Sequence, residues 1–307
     1  MSRWRLIGSK LYPMSVFSPL DAATEGFRVM RREPRAVVAW GVLWLAWIVC
    51  AAASTASSRK VVLSNTALHR TSWEIFERFG PFAALVVALF FLVLGGTVIA
   101  VYRAILQPQD RRFFFMRLGR DEFRVAIISL AAFVLVAIFG GAPGFLLVVF
   151  ASPIMAAVPA LAREIGELGA WVTVGLEIWL CVRLSLIAVE TFAEHRFHLS
   201  AYWPLTKGRY WYLMFCYLII LLVFILLTIP YLLIMGMFSS IAFVKIKIAG
   251  IIWRLALLLI AFILAAITAA YWVSMLVMFC ACQAYAYRVI VDHQAKLEAP
   301  PLAPVSA

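Results

Sequence analysis

Charged residues are scarce in this sequence. Only 14 % of its 307 positions are Asp, Glu, Lys or Arg, against about a quarter in soluble domains. A water-exposed globule needs charge over its surface, so this shortage excludes one. Acidic residues are scarcer than basic ones, 15 against 27, which leaves a net charge of +12. Cysteine is limited to Cys50, Cys181, Cys216, Cys280 and Cys282, all within apolar runs. There a thiol packs as a small hydrophobe, and no disulfide is expected.

Chemical signatures are missing too. There is no Gly-x-Ser-x-Gly elbow, no His-Glu-x-x-His and no phosphate-binding glycine loop. Glu190, Glu194, His195 and His198 have a spacing that suits a metal, but they sit at a solvated helix edge. Cys280 and Cys282 are two residues apart, so on a helix they point in different directions. No enzyme activity, catalytic residue, cofactor or metal is expected.

What the chain has is apolar length: 65 % of its residues are hydrophobic, and its mean hydropathy is +0.99. A bilayer core about 30 Å thick takes about 20 apolar residues per helix. Six runs of that kind are present, about 36–58, 80–102, a long stretch after Arg124, 169–192, 212–238 and 248–287. The expected fold is all-α, a polytopic membrane helical bundle of about six transmembrane helices with amphipathic interfacial helices. The third run is expected to kink at Gly140-Gly141-Ala142-Pro143-Gly144 and to continue into an outer segment punctuated by Pro153 and Pro159; a re-entrant element is the alternative reading. Pro230 predicts a kink in the fifth run. The sixth exceeds one upright crossing, so it should tilt or project beyond the membrane.

Basic residues fall on alternate sides of these runs, 18 against 8 with Arg183 inside a helix. The larger number belongs on the cytoplasmic side. Both termini are therefore expected in the cytoplasm of a bacterial inner membrane. Residues 1–35 form a cytoplasmic segment, 36–290 a transmembrane domain of three hairpins (36–102, 125–192, 212–287), and 291–307 a disordered proline-rich tail. The positive balance then points to anionic lipid headgroups, which attract each basic residue near the surface by about 1 kcal/mol. Membrane-protein partners fit the same picture, and nucleic acid is not expected.

Each hairpin is preceded by a basic, aromatic stretch. In the first, Ser18, Pro19 and Asp21 read as the capped start of a helix. Leu20, Ala23, Phe27 and Met30 make its apolar stripe, with Asp21, Glu25, Arg28 and Arg32 facing away. Such a helix lies on a membrane surface. The others are 113–124 and 202–211, and the residues expected to meet lipid headgroups are Arg28, Arg31, Arg32, Arg117, Arg120, Lys207 and Arg209. Gly26, Gly119 and Gly208 are spaced by 93 and 89 residues, compatible with three repeats; that any loop entering this leaflet is basic and aromatic explains the pattern equally. Thr71 and Glu74 predict a further capped turn on the opposite side.

The blocks Tyr102–Pro108, Met116–Glu122, Val182–Leu186 and Leu205–Trp211 resemble an uncharacterised group of six-helix inner-membrane proteins from alphaproteobacteria. More distantly they are similar to the YciC-like proteins and to the membrane domain of some glycerophosphodiester phosphodiesterases. The resemblance implies a fold and a location, and carries no reaction or ligand.

The candidate intramembrane polar site is on the fourth run, at Glu177, Arg183 and Glu190. Charges at membrane depth cost about 2.5–3.5 kcal/mol on insertion scales and normally face the protein interior. Glu177 and Arg183 diverge around the helix, whereas Arg183 and Glu190 share a face about 10 Å apart. Tyr231, Tyr271, Ser274 and Gln283 are the candidate partners of Arg183. Either these charges line a cavity for a proton, an ion or a headgroup, or they tether helices together. The functional expectation is a non-catalytic scaffold or accessory factor for envelope or lipid processes. The alternative is a transporter or lipid-handling protein with its site on the fourth helix; an intramembrane enzyme fits least.

Overall fold

A computed structural model describes residues 18–65, 72–109, 112–116, 119–157, 159–195, 205–243 and 251–298. Among them there is no strand. The helices are α1 (Pro19–Arg32), α2 (Pro34–Asn65), α3 (Ser72–Leu106), α4 (Arg120–Ala157), α5 (Pro159–Leu184), α6 (Ile187–Glu194), α7 (Tyr210–Phe243) and α8 (Ile251–Glu298), with a 3-10 turn at Arg112–Phe115. Six helical spans are long and apolar enough to cross a membrane: Pro34–Ser54, Ala84–Leu106, Phe123–Ser152, Glu164–Glu194, Tyr210–Met237 and Ala256–His293. The chain is a multi-pass helical membrane protein.

Two compact units divide it, one of Met1–Ala22, Phe123–Tyr217 and Cys282–Ala307, the other of Ala23–Glu122 and Leu218–Ala281. In the first, α4 and α5 meet through small residues. A Cβ on Gly140 would stand 2.5 Å from Glu177 Cγ, and one on Gly144 only 1.8 Å from Thr173 Oγ1 and 3.0 Å from the Gly169 carbonyl. Gly140 and Gly144 are four apart, as are Gly169 and Thr173, which is the small-xxx-small spacing that lets two helix backbones approach within lipid. The glycines where a kink is expected thus lie at a packing seam inside one helix, and α4 runs on through Pro153 to Ala157, where an outer segment was expected. Pro159 opens α5, where its missing N–H costs no hydrogen bond.

In the second unit, α2 packs on α3 and both reach the 3-10 turn. Trp44 donates to Thr97 Oγ1 at 3.3 Å, Trp47 to the Val86 carbonyl at 3.0 Å, and both rings pack on Phe90. Residues 218–243 of α7 meet α8 through Thr228, whose hydroxyl lies 2.6 Å from that of Tyr271, and through stacked Tyr231 and Tyr271 rings 4.4 Å apart. Pro230 lies inside the continuous α7, where it withdraws one backbone donor. The Tyr271 hydroxyl thus pairs with that of Thr228 and the Tyr231 hydroxyl with that of Thr268.

Ser18 Oγ accepts the Asp21 N–H at 3.3 Å, the expected cap of α1. Its stripe divides differently from expectation. Leu20 and Phe27 are exposed, but Glu25 is only 6 % exposed and takes both Arg28 and Arg32. Glu25 therefore faces inward, because Gly26 beside it comes so close to α8 that a Cβ there would stand 2.5 Å from Met278 Cα. The 48 residues of α8 span about 70 Å at 1.5 Å per residue, more than twice a bilayer core. The helix continues to Glu298, into the segment expected as a disordered tail, because nothing stops it before Pro300 and Arg288 sits one turn from Asp292 at 3.8 Å. Thr71 lies outside the described residues.

Candidate functional site

The fourth span is two helices. Ser185 turns its hydroxyl back onto the Val182 carbonyl at 2.8 Å, a local bond that competes with the helical ladder, and α5 ends at Leu184 before α6 begins at Ile187. Arg183 and Glu190 therefore stand on different helices, either side of a two-residue turn. Each of the three predicted charges has its own surroundings.

Glu177 belongs to the seam. Its side chain covers Gly140 and is partly buried. Arg183 stands in the last turn of α5, where a cation complements the helix dipole. Its Nη1 donates to Thr206 Oγ1 at 3.1 Å, and its guanidinium carbon lies 5.7 Å from the Trp179 ring and 5.8 Å from the Tyr210 ring. Its partners thus include the turn before α7 and two aromatic faces. A planar guanidinium holds all three at once and an ammonium does not. Arg183→Lys should lower stability by about 1–2 kcal/mol, read in thermal unfolding of the purified protein; a lysine variant melting with the wild type would show that the stacking contributes nothing.

Glu190 is the deeply buried member. It is 4 % exposed, and its Oε2 is buried without a hydrogen-bond partner. Buried carboxylate oxygens are ordinarily paired. Glu194 lies one turn further along α6 and is exposed, and Tyr287 on α8 is within electrostatic reach of both carboxylates. Tyr217, at the start of α7, lies beside Ser185, Gln283 and Cys282. Beyond Glu194, His195 takes a left-handed conformation with φ 54° and closes α6. Its carbonyl accepts Arg124 Nη1 at 3.0 Å. The Glu-x3-Glu spacing that suggested a metal therefore reads in the fold as one buried and one exposed carboxylate beside a tyrosine. Among the described residues no three His, Cys, Asp or Glu side chains form a metal-binding group, and all five cysteines are free thiols.

The residues expected at headgroups are placed separately. Arg28, Arg31 and Arg32 are exposed on α1, Arg120 is exposed at the start of α4, and Lys207 is exposed in the turn before α7. Gly208 takes φ +76° in that turn, a conformation glycine adopts without strain. Arg209 is half-buried against the Leu205 carbonyl at 3.3 Å, and burial lowers its affinity for a proton from the ordinary arginine value. Arg117 lies outside the described residues.

Two features escaped sequence reasoning. Tyr287 reads in sequence as the aromatic end of an apolar run, although it lies one turn after Gln283. Arg103 reads as one more basic residue in a loop, but it is buried and donates to the Phe115 carbonyl at 3.0 Å. No family model, curated protein or solved structure matches the chain.

Proposed function

We propose that this chain is a non-catalytic scaffold or accessory factor for envelope or lipid processes in a bacterial inner membrane, with both termini in the cytoplasm. The observation that carries this reading is that each of α2, α4 and α7 is entered through exposed basic residues, Arg28 to Arg35, Arg120 and Lys207. Such residues hold anionic headgroups at the bilayer surface. The exposed aromatic residues Phe27, Phe114 and Trp211 suit the interface beside them. The exposed aliphatic side chains of α7, Leu221, Leu222, Leu226, Leu232 and Leu233, suit lipid or a partner helix.

Extraction in polymer-bounded native discs tests the reading. Phosphatidylglycerol and cardiolipin should be enriched around the wild type. Replacing Arg31, Arg120 and Lys207 together by Gln should reduce that enrichment severalfold, and an unchanged lipid profile would count against a headgroup-binding face. A fluorescent protein fused to the C-terminus should light up, whereas alkaline phosphatase there should stay inactive.

The second reading, a transporter or lipid-handling protein with a polar site on the fourth span, is favoured by one observation, the buried and unpartnered oxygen of Glu190.

A further inference from the structure

We infer that Glu190, with Glu194 and Tyr287, forms a binding site for a primary ammonium group, carried on an aminophospholipid headgroup or on a free amine. The inference rests on the second reading above, that the fourth span carries a polar site, and gives that site its ligand class.

Glu190 Oε2 is an acceptor without a donor in a residue 4 % exposed. An unsatisfied buried acceptor costs about 1–3 kcal/mol, more when charged, so the arrangement calls for a ligand that supplies both N–H donors and positive charge. The groups that share its electrostatic surroundings are Glu194, one turn on, and Tyr287 of α8, while Gln283, one turn earlier on α8, lies beside the Tyr217 hydroxyl. No basic side chain is paired with Glu190 among the described residues. A carboxylate with neighbouring hydroxyls matches an ammonium with three hydrogen-bond donors. Glu194 is exposed where Glu190 is buried, so negative charge runs from the outside of α6 inward and draws a cation along it.

The test uses the full-length protein in a neutral detergent, titrated by calorimetry with dihexanoyl phosphatidylethanolamine, dihexanoyl phosphatidylcholine and free ethanolamine. The choline headgroup keeps the positive charge but has no N–H, so it separates hydrogen-bonded ammonium recognition from charge alone. The wild type should bind the ethanolamine lipid at least tenfold more tightly than the choline lipid. Glu190→Gln should abolish the preference, and Glu194→Gln should weaken it. Equal binding of the two lipids, or a preference that survives Glu190→Gln, overturns the inference. Binding of free ethanolamine as tight as that of its lipid assigns the site to a soluble amine and supports the ammonium chemistry; weaker binding of the free amine assigns it to the headgroup. Should Glu190→Gln fail to fold, Glu194→Gln and Tyr287→Phe decide, since retention of the full preference in both overturns the proposal. Flux of labelled lipid in reconstituted vesicles, compared between wild type and Glu190→Gln, separately tests the transport reading.

Discussion

Gly144→Ala should destabilise the protein by about 2–3 kcal/mol, the upper range for overpacking a close contact. Alanine in place of glycine inside a helix ordinarily gains about 1 kcal/mol in propensity, so the expected loss runs against the intrinsic preference and has to come from the seam. A methyl at this position meets Thr173 Oγ1 at 1.8 Å and the Gly169 carbonyl at 3.0 Å. The hydroxyl can be removed but the carbonyl cannot move without shifting α5. Thr173→Ala should therefore restore part of the stability of Gly144→Ala and leave a residue of the loss. Gly140→Ala should cost less, since its nearest obstacle at 2.5 Å is Glu177 Cγ, which a rotamer change displaces. Gly141 has nothing within 4 Å of its would-be Cβ, so Gly141→Ala supplies the control and should be neutral or slightly stabilising. The order of the three is read from denaturation of the purified protein followed by tryptophan fluorescence. Equal stability of the Gly144 and Gly141 variants would dismiss the seam.

These glycines also show how far a sequence can be read. Apolar run length identified all six spans, because a bilayer requires it of any helix that crosses. Run length does not say what a glycine is for. Gly140-Gly141-Ala142-Pro143-Gly144 predicts a kink when each residue is judged by its own propensity, and within lipid, where the backbone has no partner outside the helix, the segment is helical. The glycines serve a neighbour 25 or more residues away that no local pattern reveals. The cap of α1 was legible for the opposite reason, since Ser18 and Asp21 interact across three residues.

The candidate site was legible in its members and not in its geometry. Glu177, Arg183 and Glu190 stand out because charge is rare in the spans. Their grouping by helical phase assumes one uninterrupted helix. A single serine, Ser185, ends that assumption by bonding back to Val182, after which Arg183 turns to Thr206 and Glu190 is buried on a separate helix. Serine is common enough within membrane helices that its presence alone does not mark a break.

The 3-10 turn at Arg112–Phe115 should open when its two tethers are cut together. Phe114 and Phe115 both hold positive φ, 56° and 67°, which costs a bulky residue about 1–3 kcal/mol each. Such strain persists only where the surroundings enforce it. Here Trp40 Nε1 donates to the Phe114 carbonyl at 3.1 Å and Arg103 Nη1 to the Phe115 carbonyl at 3.0 Å. A charged donor is worth about 1.5–3 kcal/mol and a neutral one about 1 kcal/mol, so Trp40→Phe with Arg103→Met should remove about 3 kcal/mol, enough to release two left-handed residues. Trypsin cleavage after Arg112 should then accelerate by about a hundredfold if it follows the open population. The two phenylalanines should answer differently to glycine, which adopts positive φ freely. Phe114 is 49 % exposed, and Phe114→Gly should relieve strain at little packing cost and slow cleavage. Phe115 is 2 % exposed, and Phe115→Gly gives up a buried ring worth about 3 kcal/mol or more, so cleavage should quicken despite the same relief of the backbone. Equal responses at the two positions would mean that the turn is held by something other than these tethers and the buried ring.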